Sequence, residues 1–104
     1  MDIRKYQLPD GRIPFDIWIE KLRDKRAKAR ILVRLKRLES GNPGDMKSVA
    51  KSVYELRIDE GQGYRVYFGY TGKEVVLLLC GGDKSTQQSD IQKAVHYWSH
   101  YNAE

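Results

Sequence analysis

The chain has 104 residues, of which 40% are hydrophobic, and its 19 basic against 14 acidic side chains give a net charge of +5. That length accommodates one hydrophobic core, so we expect a single domain over residues 1–104. The N-terminus has no apolar segment of the secretory type and no stretch approaches about 18 apolar residues, which argues against export and membrane insertion. The positive charge is typical of proteins that bind nucleic acid or another polyanion, and also of basic soluble proteins without such a partner.

The first predicted elements are a short strand and a helix. Ile3 to Leu8 form the strand candidate, and the turn signal Pro9-Asp10-Gly11 closes it. Pro14 suits the first turn of a helix, where a missing N–H costs nothing. Apolar residues then follow at helical spacing, namely Phe15, Trp18, Ile19 and Leu22.

A second helix is predicted almost directly after the first. Asp24 is its expected N-cap, it runs from about Lys25 to Glu39, and Gly41-Asn42-Pro43-Gly44 ends it. Its apolar stripe consists of Ala27, Ile31, Leu35 and Leu38. The first third of the chain is therefore predicted to be a helical hairpin.

The next segments alternate as half-buried strands do. Residues 53–59 and 64–70 each place apolar side chains on one face and mostly polar or charged side chains on the other. Gly61-Gln62-Gly63 between them is interpreted as a three-residue hairpin loop. Residues 75–80 are apolar on both faces, which predicts a central, covered strand. Together with the strand at 3–8, these segments predict a four-stranded sheet.

Cys80 ends the last apolar run and is the single cysteine, so no disulfide can form within one chain. A lone thiol in such a run is most often a small buried hydrophobe. This cysteine usage fits a reducing, cytoplasmic setting.

The final element is predicted to be a helix that begins at the capping box Ser85-Thr86-Gln87-Gln88. Its apolar side carries Ile91, Ala94, Val95, Trp98 and Tyr101. His96 and His100 are four residues apart, but no further ligand cluster accompanies them, so we expect no metal site.

The register of the predicted hairpin determines where its two arginines lie, and it is restricted because core residues must face core residues across the hairpin. Pairing Ile58 with Val66 sets Asp59 opposite Arg65, whereas pairing Ile58 with Tyr64 sets Arg57 directly opposite Arg65. Both registers place the two arginines on one face, about 5–8 Å apart at Cβ. Either Glu55 and Asp59 neutralise them in an exposed ion-pair cluster, or both guanidinium groups grip phosphate.

The hairpin and the loop that follows the last strand carry a family resemblance. The segment Y-E-L-R-I-D-E-G-Q-G-Y-R-V-Y-F at 54–68, followed by G-G-D-K-S-T-Q at 81–87, resembles the RelE/ParE superfamily of bacterial toxins, and more narrowly the HigB-like addiction-module killer proteins. The resemblance implies an α+β fold, with an N-terminal helical hairpin on a twisted, mainly antiparallel four-stranded sheet and a C-terminal helix.

The resemblance also implies a function. Members of the superfamily usually act as toxins of type II toxin–antitoxin systems that cleave mRNA on the translating ribosome without a cofactor. The usual partner is an antitoxin, often one with a helix-turn-helix domain. Two alternatives stay open: a non-enzymatic inhibitor of DNA gyrase, as in the ParE branch, and an RNA-binding module without toxicity.

Site residues carry over by position. Arg65 matches the arginine of the Y-R strand motif, Arg57 matches a basic strand position used at the scissile phosphate, and Lys84 lies in the loop where a basic residue also serves the site. Two residues depart from the pattern. Glu55 stands where ribosome-dependent nucleases have a lysine, and Ile91 falls near a tyrosine or histidine of some members.

Three further residues are candidates for RNA binding. Lys47 and Lys51 precede the hairpin and either bind RNA or are ordinary solvated lysines. Tyr67 either stacks on a base or covers sheet surface. The second helix is rich in lysine and arginine, which indicates either a solvated face or contact with ribosomal RNA, where an acidic antitoxin segment would compete.

Overall fold

The chain folds into a five-stranded sheet with helices on both faces, and its computed structural model describes residues 1–103. The strands are β1 (Asp2–Lys5), β2 (Met46–Ala50), β3 (Val53–Ile58), β4 (Tyr64–Tyr70) and β5 (Val75–Asp83). The helices are α1 (Pro14–Lys21), α2 (Lys25–Glu39) and α3 (Gln87–Asn102), and a short 3-10 turn (Lys84–Thr86) joins β5 to α3. No helix within residues 1–103 is long and apolar enough to cross a membrane.

The sheet has the strand order β1-β5-β4-β3-β2. Strand β1 runs parallel to β5, and the other neighbours are antiparallel. The prediction of four strands is wrong because β2 was missed. This edge strand has no clean alternation of apolar and polar residues, and hydrogen bonding to β3 rather than its own pattern makes it a strand.

The two faces of the sheet carry separate cores. Helices α1 and α2 lie on one face, where Phe15, Ile31 and Leu38 pack against β-strand residues such as Leu56 and Val66. Helix α3 lies on the other face and covers a second cluster. That cluster includes Tyr6, Val53, Tyr67, Leu77, Leu79, Cys80 and Ala94. Because both faces are covered, Glu55 and Tyr67, which the alternation placed on the outward face of the hairpin, are buried.

The predicted helical hairpin is not matched in detail. Both helices are present in the expected order, but α1 packs mainly on β5 and α2 mainly on β3. The reason is that each apolar stripe gains more contact from the broad apolar face of the sheet than from the other helix. β1 also precedes the pair and joins the sheet edge beside β5.

Several boundaries agree with the sequence. Helix α2 and strand β4 have the predicted bounds, and the Asp24 carboxylate accepts a hydrogen bond from the backbone N–H of Ala27, as expected for an N-cap. β5 lies between β1 and β4, which confirms its central position. The predicted capping box is wrong, because the Thr86 hydroxyl donates to the Asp90 carboxylate and caps no backbone N–H.

Candidate functional site

The register of the β3–β4 hairpin decides where the two arginines lie. Ile58 pairs with Tyr64, so Arg57 stands directly opposite Arg65 and five residues, 59–63, form the loop. The interpretation of a three-residue loop is therefore wrong. The turn closes through the backbone N–H of Gly63, which donates to the carbonyl of Glu60 at 3.0 Å, and Gly63 has a φ of +77° that favours glycine.

Glu55 is the centre of the polar cluster around these arginines. It shares their face of β3 and is completely buried. One carboxylate oxygen, Oε1, accepts a hydrogen bond from Arg57 Nε at 2.9 Å. The other, Oε2, accepts from the Tyr67 hydroxyl at 3.1 Å and from Gln87 Nε2 at 2.8 Å, and lies 3.4 Å from Arg65 Nε. One buried carboxylate thus holds both arginines.

The pKa of Glu55 shows that this carboxylate stays charged. Burial by itself raises the pKa, but hydrogen bonds from Arg57, Gln87 and Tyr67 and the charge of Arg65 outweigh burial and hold it below its ordinary value of 4.5. The hydrogen bond to Glu55 correspondingly raises the pKa of Arg57. The cluster therefore keeps one negative and two positive charges at neutral pH.

Arg65 is more enclosed than Arg57. It is 8% exposed, and its Nη1 donates to the Gly63 carbonyl at 2.8 Å. Its buried Nε makes no hydrogen bond of normal geometry, so the Glu55 carboxylate neutralises it through charge alone. The Arg57 side chain is 36% exposed. Arg57 thus exposes its positive charge to solvent, whereas the charge of Arg65 lies largely buried beside it in the same site.

Lys84 converges on the same place from β5. It begins the 3-10 turn, which the Asp83 carboxylate caps by accepting from the backbone N–H of Ser85 at 2.8 Å. The Lys84 stem lies over Gly63, since a Cβ placed on that glycine would be 3.4 Å from Lys84 Cε and 3.5 Å from Arg65 Nη1. These are ordinary van der Waals distances, so a larger residue at position 63 is disfavoured by the positive φ rather than by contact with the two cations.

These three cations border one depression, which we call the clamp cleft. It has a volume of about 290 Å³ and is lined by Asp45, Arg57, Ile58, Asp59, Gly61, Gln62, Gly63, Tyr64, Arg65 and Lys84. Fixed guanidinium groups and an ammonium group around one cleft favour an anion with several oxygens, such as a phosphodiester.

A second depression, which we call the arginine trough, adjoins the clamp cleft. Its volume is also about 290 Å³, and it is lined by Arg30, Val33, Arg34, Arg37, Gly44, Asp45, Arg57 and Asp59. Asp45, Arg57 and Asp59 border both depressions, so the two are continuous. The trough extends the positive surface from the hairpin to α2.

Arg34 has a structural role within the trough. Its guanidinium donates to the carbonyls of Arg57, Pro43 and Asp45, the last two at 2.9 and 3.2 Å. Burial lowers its pKa. Arg34 therefore ties α2 to the end of β3 and to the segment before β2, and it holds the backbone under Arg57 in place.

The structure separates the three predicted RNA-binding residues. Tyr67 is fully buried under α3 with its hydroxyl on Glu55, so the interpretation that a base stacks on it is wrong. Lys47 lies in β2 directly opposite Glu55, on the face of the clamp cleft, and is exposed. Lys51 lies in the β2–β3 turn, before Val53, which is itself about 13 Å along β3 from Arg57, and Lys51 does not border the cleft.

Sequence reasoning missed how the cluster is organised. The alternation of β3 placed Glu55 on the face of Arg57, but the pattern gave no sign that α3 would cover this carboxylate. The sequence marked Gln87 only as part of a helix cap. Its side chain in fact donates a hydrogen bond to Glu55, which lies 32 residues away along the chain. Among residues 1–103, no three His, Cys, Asp or Glu side chains come together in a group that could hold a metal ion.

Comparison with known proteins identifies the family. A model of the family described as "Phage derived protein Gp49-like (DUF891)" matches residues 18–96, which include the hairpin and Lys84. An uncharacterized protein of Haemophilus influenzae strain Rd is 58% identical over 82 residues, corresponding to 79% of this chain and 83% of that protein. The chain therefore belongs to the phage-derived Gp49-like protein family.

Proposed function

We propose that this chain is the toxin of a type II toxin–antitoxin system and that it inhibits translation by cleaving mRNA on the ribosome. One observation carries the proposal: Arg57 and Arg65 stand directly opposite each other, share the Glu55 carboxylate and border the same cleft as Lys84. The buried Glu55 carboxylate offsets part of the repulsion between these two like charges, and the surplus of positive charge that remains at the cleft favours an anionic substrate. The resemblance to RelE and HigB-like toxins supports this class.

The proposed reaction uses the RNA's own 2′-hydroxyl, which attacks the adjacent phosphorus and expels the 5′-oxygen of the next nucleotide. The attacking hydroxyl must be aligned and must release its proton to water in the cleft, and the negative charge that builds on the phosphate must be stabilised. Arg57 faces solvent from the cleft wall and would bind the non-bridging oxygens, with Arg65 beside it. Lys84 would add a third positive charge or protonate the leaving oxygen. In this proposal the reaction needs no metal or cofactor.

Glu55 fits this mechanism as a positioning residue. Its two oxygens are occupied by donors from Arg57, Tyr67 and Gln87, so it does not face the cleft as a base. Its charge instead fixes the direction of the Arg57 side chain before substrate arrives. A donor that is fixed in advance loses little entropy on binding, which is the general requirement for electrostatic stabilisation of a transition state.

Induced expression with end mapping of cellular mRNA tests the proposal. The wild-type chain should arrest growth and produce new mRNA ends within minutes, whereas Arg65→Ala and Arg57→Ala should reduce cleavage about 100-fold or more. Arg4→Ala, which removes an exposed arginine of β1, is the matched control and should cleave normally. Circular dichroism spectra that match the wild type would show that each variant is folded.

Two results would contradict the proposal. Full toxicity of Arg65→Ala at equal expression would show that the assigned site is wrong. An SOS response without new mRNA ends would indicate a gyrase inhibitor instead. In this proposal the partners are mRNA, the ribosome and a cognate antitoxin encoded by an adjacent reading frame, and the chain acts in the cytoplasm.

A further inference from the structure

A depression at the edge of β5, which we call the edge slot, lies outside the clamp cleft and the arginine trough. The pairing of β1 with β5 ends at Lys5 and Leu78, whereas β5 continues to Asp83. Beyond Leu78 this edge of β5 has no strand beside it, and residues of α1 and α3 border the slot from the two faces of the sheet. The slot has a volume of about 410 Å³, which is within the range of pockets that hold small ligands.

Each of the two helices contributes an aromatic side chain to the edge slot. Trp18 of α1 lies on the backbone of Gly81, since a Cβ on that glycine would overlap the indole ring. The ring centroids of Trp18 and Phe15 are 5.9 Å apart. Tyr97 of α3 stacks on Tyr6 with ring centroids 5.0 Å apart. Other rings therefore hold both walls in place before a ligand enters, and the walls offer flat surfaces to a planar ligand.

A buried carboxylate also lines the edge slot. Asp90 is 6% exposed, and its Oδ2 accepts a hydrogen bond from the Thr86 hydroxyl. A Cβ on Gly82 would overlap this carboxylate, so the glycine makes room for it. Within residues 1–103, Asp90 Oδ1 accepts no hydrogen bond and no salt bridge reaches the carboxylate. Burying a carboxylate without a charged partner is costly, so a ligand that donates N–H groups would gain from binding here.

We propose that the edge slot binds a guanine base of the RNA substrate, close to the phosphodiester that is cleaved. The proposal rests on the proposed function for RNA as the source of the base. The base would stack against Trp18 and Tyr97, and its N1–H and N2 amino group would donate to the Asp90 carboxylate. Arg12 and Lys93 also line the slot and can donate to the O6 atom of guanine.

The carboxylate selects guanine among the four RNA bases. Guanine alone has two adjacent N–H donors on its Watson–Crick edge, and a carboxylate has acceptors only. Adenine and cytosine would place a ring nitrogen acceptor against Asp90 beside their one amino group. Uracil has a single N–H between two carbonyl oxygens, so it would also be repelled.

The edge slot is close enough to the clamp cleft for one RNA strand to reach both. Gly81 lines the slot and Lys84 lines the clamp cleft, and three residues of backbone span at most about 11 Å. The ring centroid of Trp18 also lies 6.5 Å from that of Tyr64, which lines the clamp cleft. At about 3.4 Å per stacked nucleotide, the guanine would lie within about three nucleotides of the cleaved bond.

Titration of the purified chain with guanosine and adenosine 5′-monophosphate tests the slot without a cleavage assay. The chain has two tryptophans, so fluorescence in a Trp98→Phe background reports Trp18 alone, and titration calorimetry on the unmodified chain measures the same affinities. The guanine nucleotide should quench Trp18 and bind at least about 10-fold more tightly than the adenine nucleotide. Asp90→Asn keeps the shape but replaces one acceptor by a donor, so its two affinities should lie within about 3-fold of each other. Asp2→Asn, at an exposed carboxylate of β1, is the matched control and should keep the preference.

End mapping of mRNA then identifies the source of the base. Wild-type cuts should be enriched in guanine at one fixed position, and the cuts that Asp90→Asn still makes should lack this enrichment. Equal affinity of the wild-type chain for the two nucleotides, or a preference that Asp90→Asn retains, would overturn the guanine site. Guanine preference in the titration without enrichment at the cuts would show that the slot takes a free nucleotide, and would overturn the assignment to RNA. Guanine preference in a chain that makes no cuts would support the site and contradict the nuclease proposal.

Discussion

Replacing Glu55 by glutamine tests whether the buried carboxylate organises the clamp cleft. Glutamine has nearly the same shape, and its carbonyl oxygen can still accept from Tyr67 and Gln87 on the Oε2 side. Its NH₂ group then faces Arg57 Nε, which loses its acceptor, and Arg65 loses its counter-charge. Removing one member of a buried ion pair costs roughly 3–5 kcal/mol.

The cost should fall at the lower end of that range because Arg57 is partly exposed and water can solvate it. We therefore expect Glu55→Gln to lower the free energy of unfolding by about 3 kcal/mol at pH 7. For a domain of about 100 residues this corresponds to a fall in Tm of about 15 °C, measured by circular dichroism. Glu60→Gln is the control, since its partner Arg26 is 3.8 Å away and mostly exposed, and it should change stability by less than about 0.5 kcal/mol.

The pKa of Glu55 also predicts how the stability difference between wild type and Glu55→Gln changes with pH. The folded-state pKa of Glu55 lies below its ordinary value of 4.5, so its charge stabilises the fold above about pH 4.5. That stabilisation is lost as the pH falls through the folded-state pKa. The stability gap between wild type and Glu55→Gln should therefore be full at pH 7 and shrink as the pH falls below 4.5. A Tm within about 2 °C of wild type at pH 7, or a gap that persists undiminished in acid, would refute the reasoning.

Three further experiments probe the scaffold. Burial raises the pKa of Cys80 to about 12, so iodoacetamide at pH 8 should leave the thiol of the native protein unmodified. The same reagent should label the thiol in guanidinium chloride, as mass spectrometry would show. Rapid labelling of the native protein would contradict the buried position of Cys80. A Cβ at Gly81 would overlap the Trp18 ring, so Gly81→Ala should lower the free energy of unfolding in urea by at least about 2 kcal/mol. Gly72→Ala is the control, because a Cβ there meets no atom within 4 Å, and it should cost about 1 kcal/mol from the positive φ. Arg34→Lys cannot reach three carbonyls and should destabilise the chain by about 2 kcal/mol without abolishing folding; an unchanged Tm would show that these bonds are dispensable.

The sequence by itself determined the elements whose signals are local. Asp24 and the glycines after Glu39 set the bounds of α2, and alternation set those of β4. The same alternation put Glu55, Arg57 and Arg65 on one face, which left both an ion-pair cluster and an anion-binding site open, and the family resemblance favoured the second. The central position of β5 followed from a run that is apolar on both faces.

The tertiary structure decided the features that depend on contacts between residues far apart in the chain. β2 is a strand because β3 hydrogen bonds to it, and Tyr67 is buried because α3 lies over it. The register that sets Arg57 opposite Arg65 was one of two that the pattern allowed. Gln87 reaches Glu55 only after α3 folds back onto the sheet, so the environment that keeps the carboxylate charged arises from contacts between residues far apart in the chain. Local patterns record which face a side chain occupies, whereas burial and charge pairing are properties of the packed molecule.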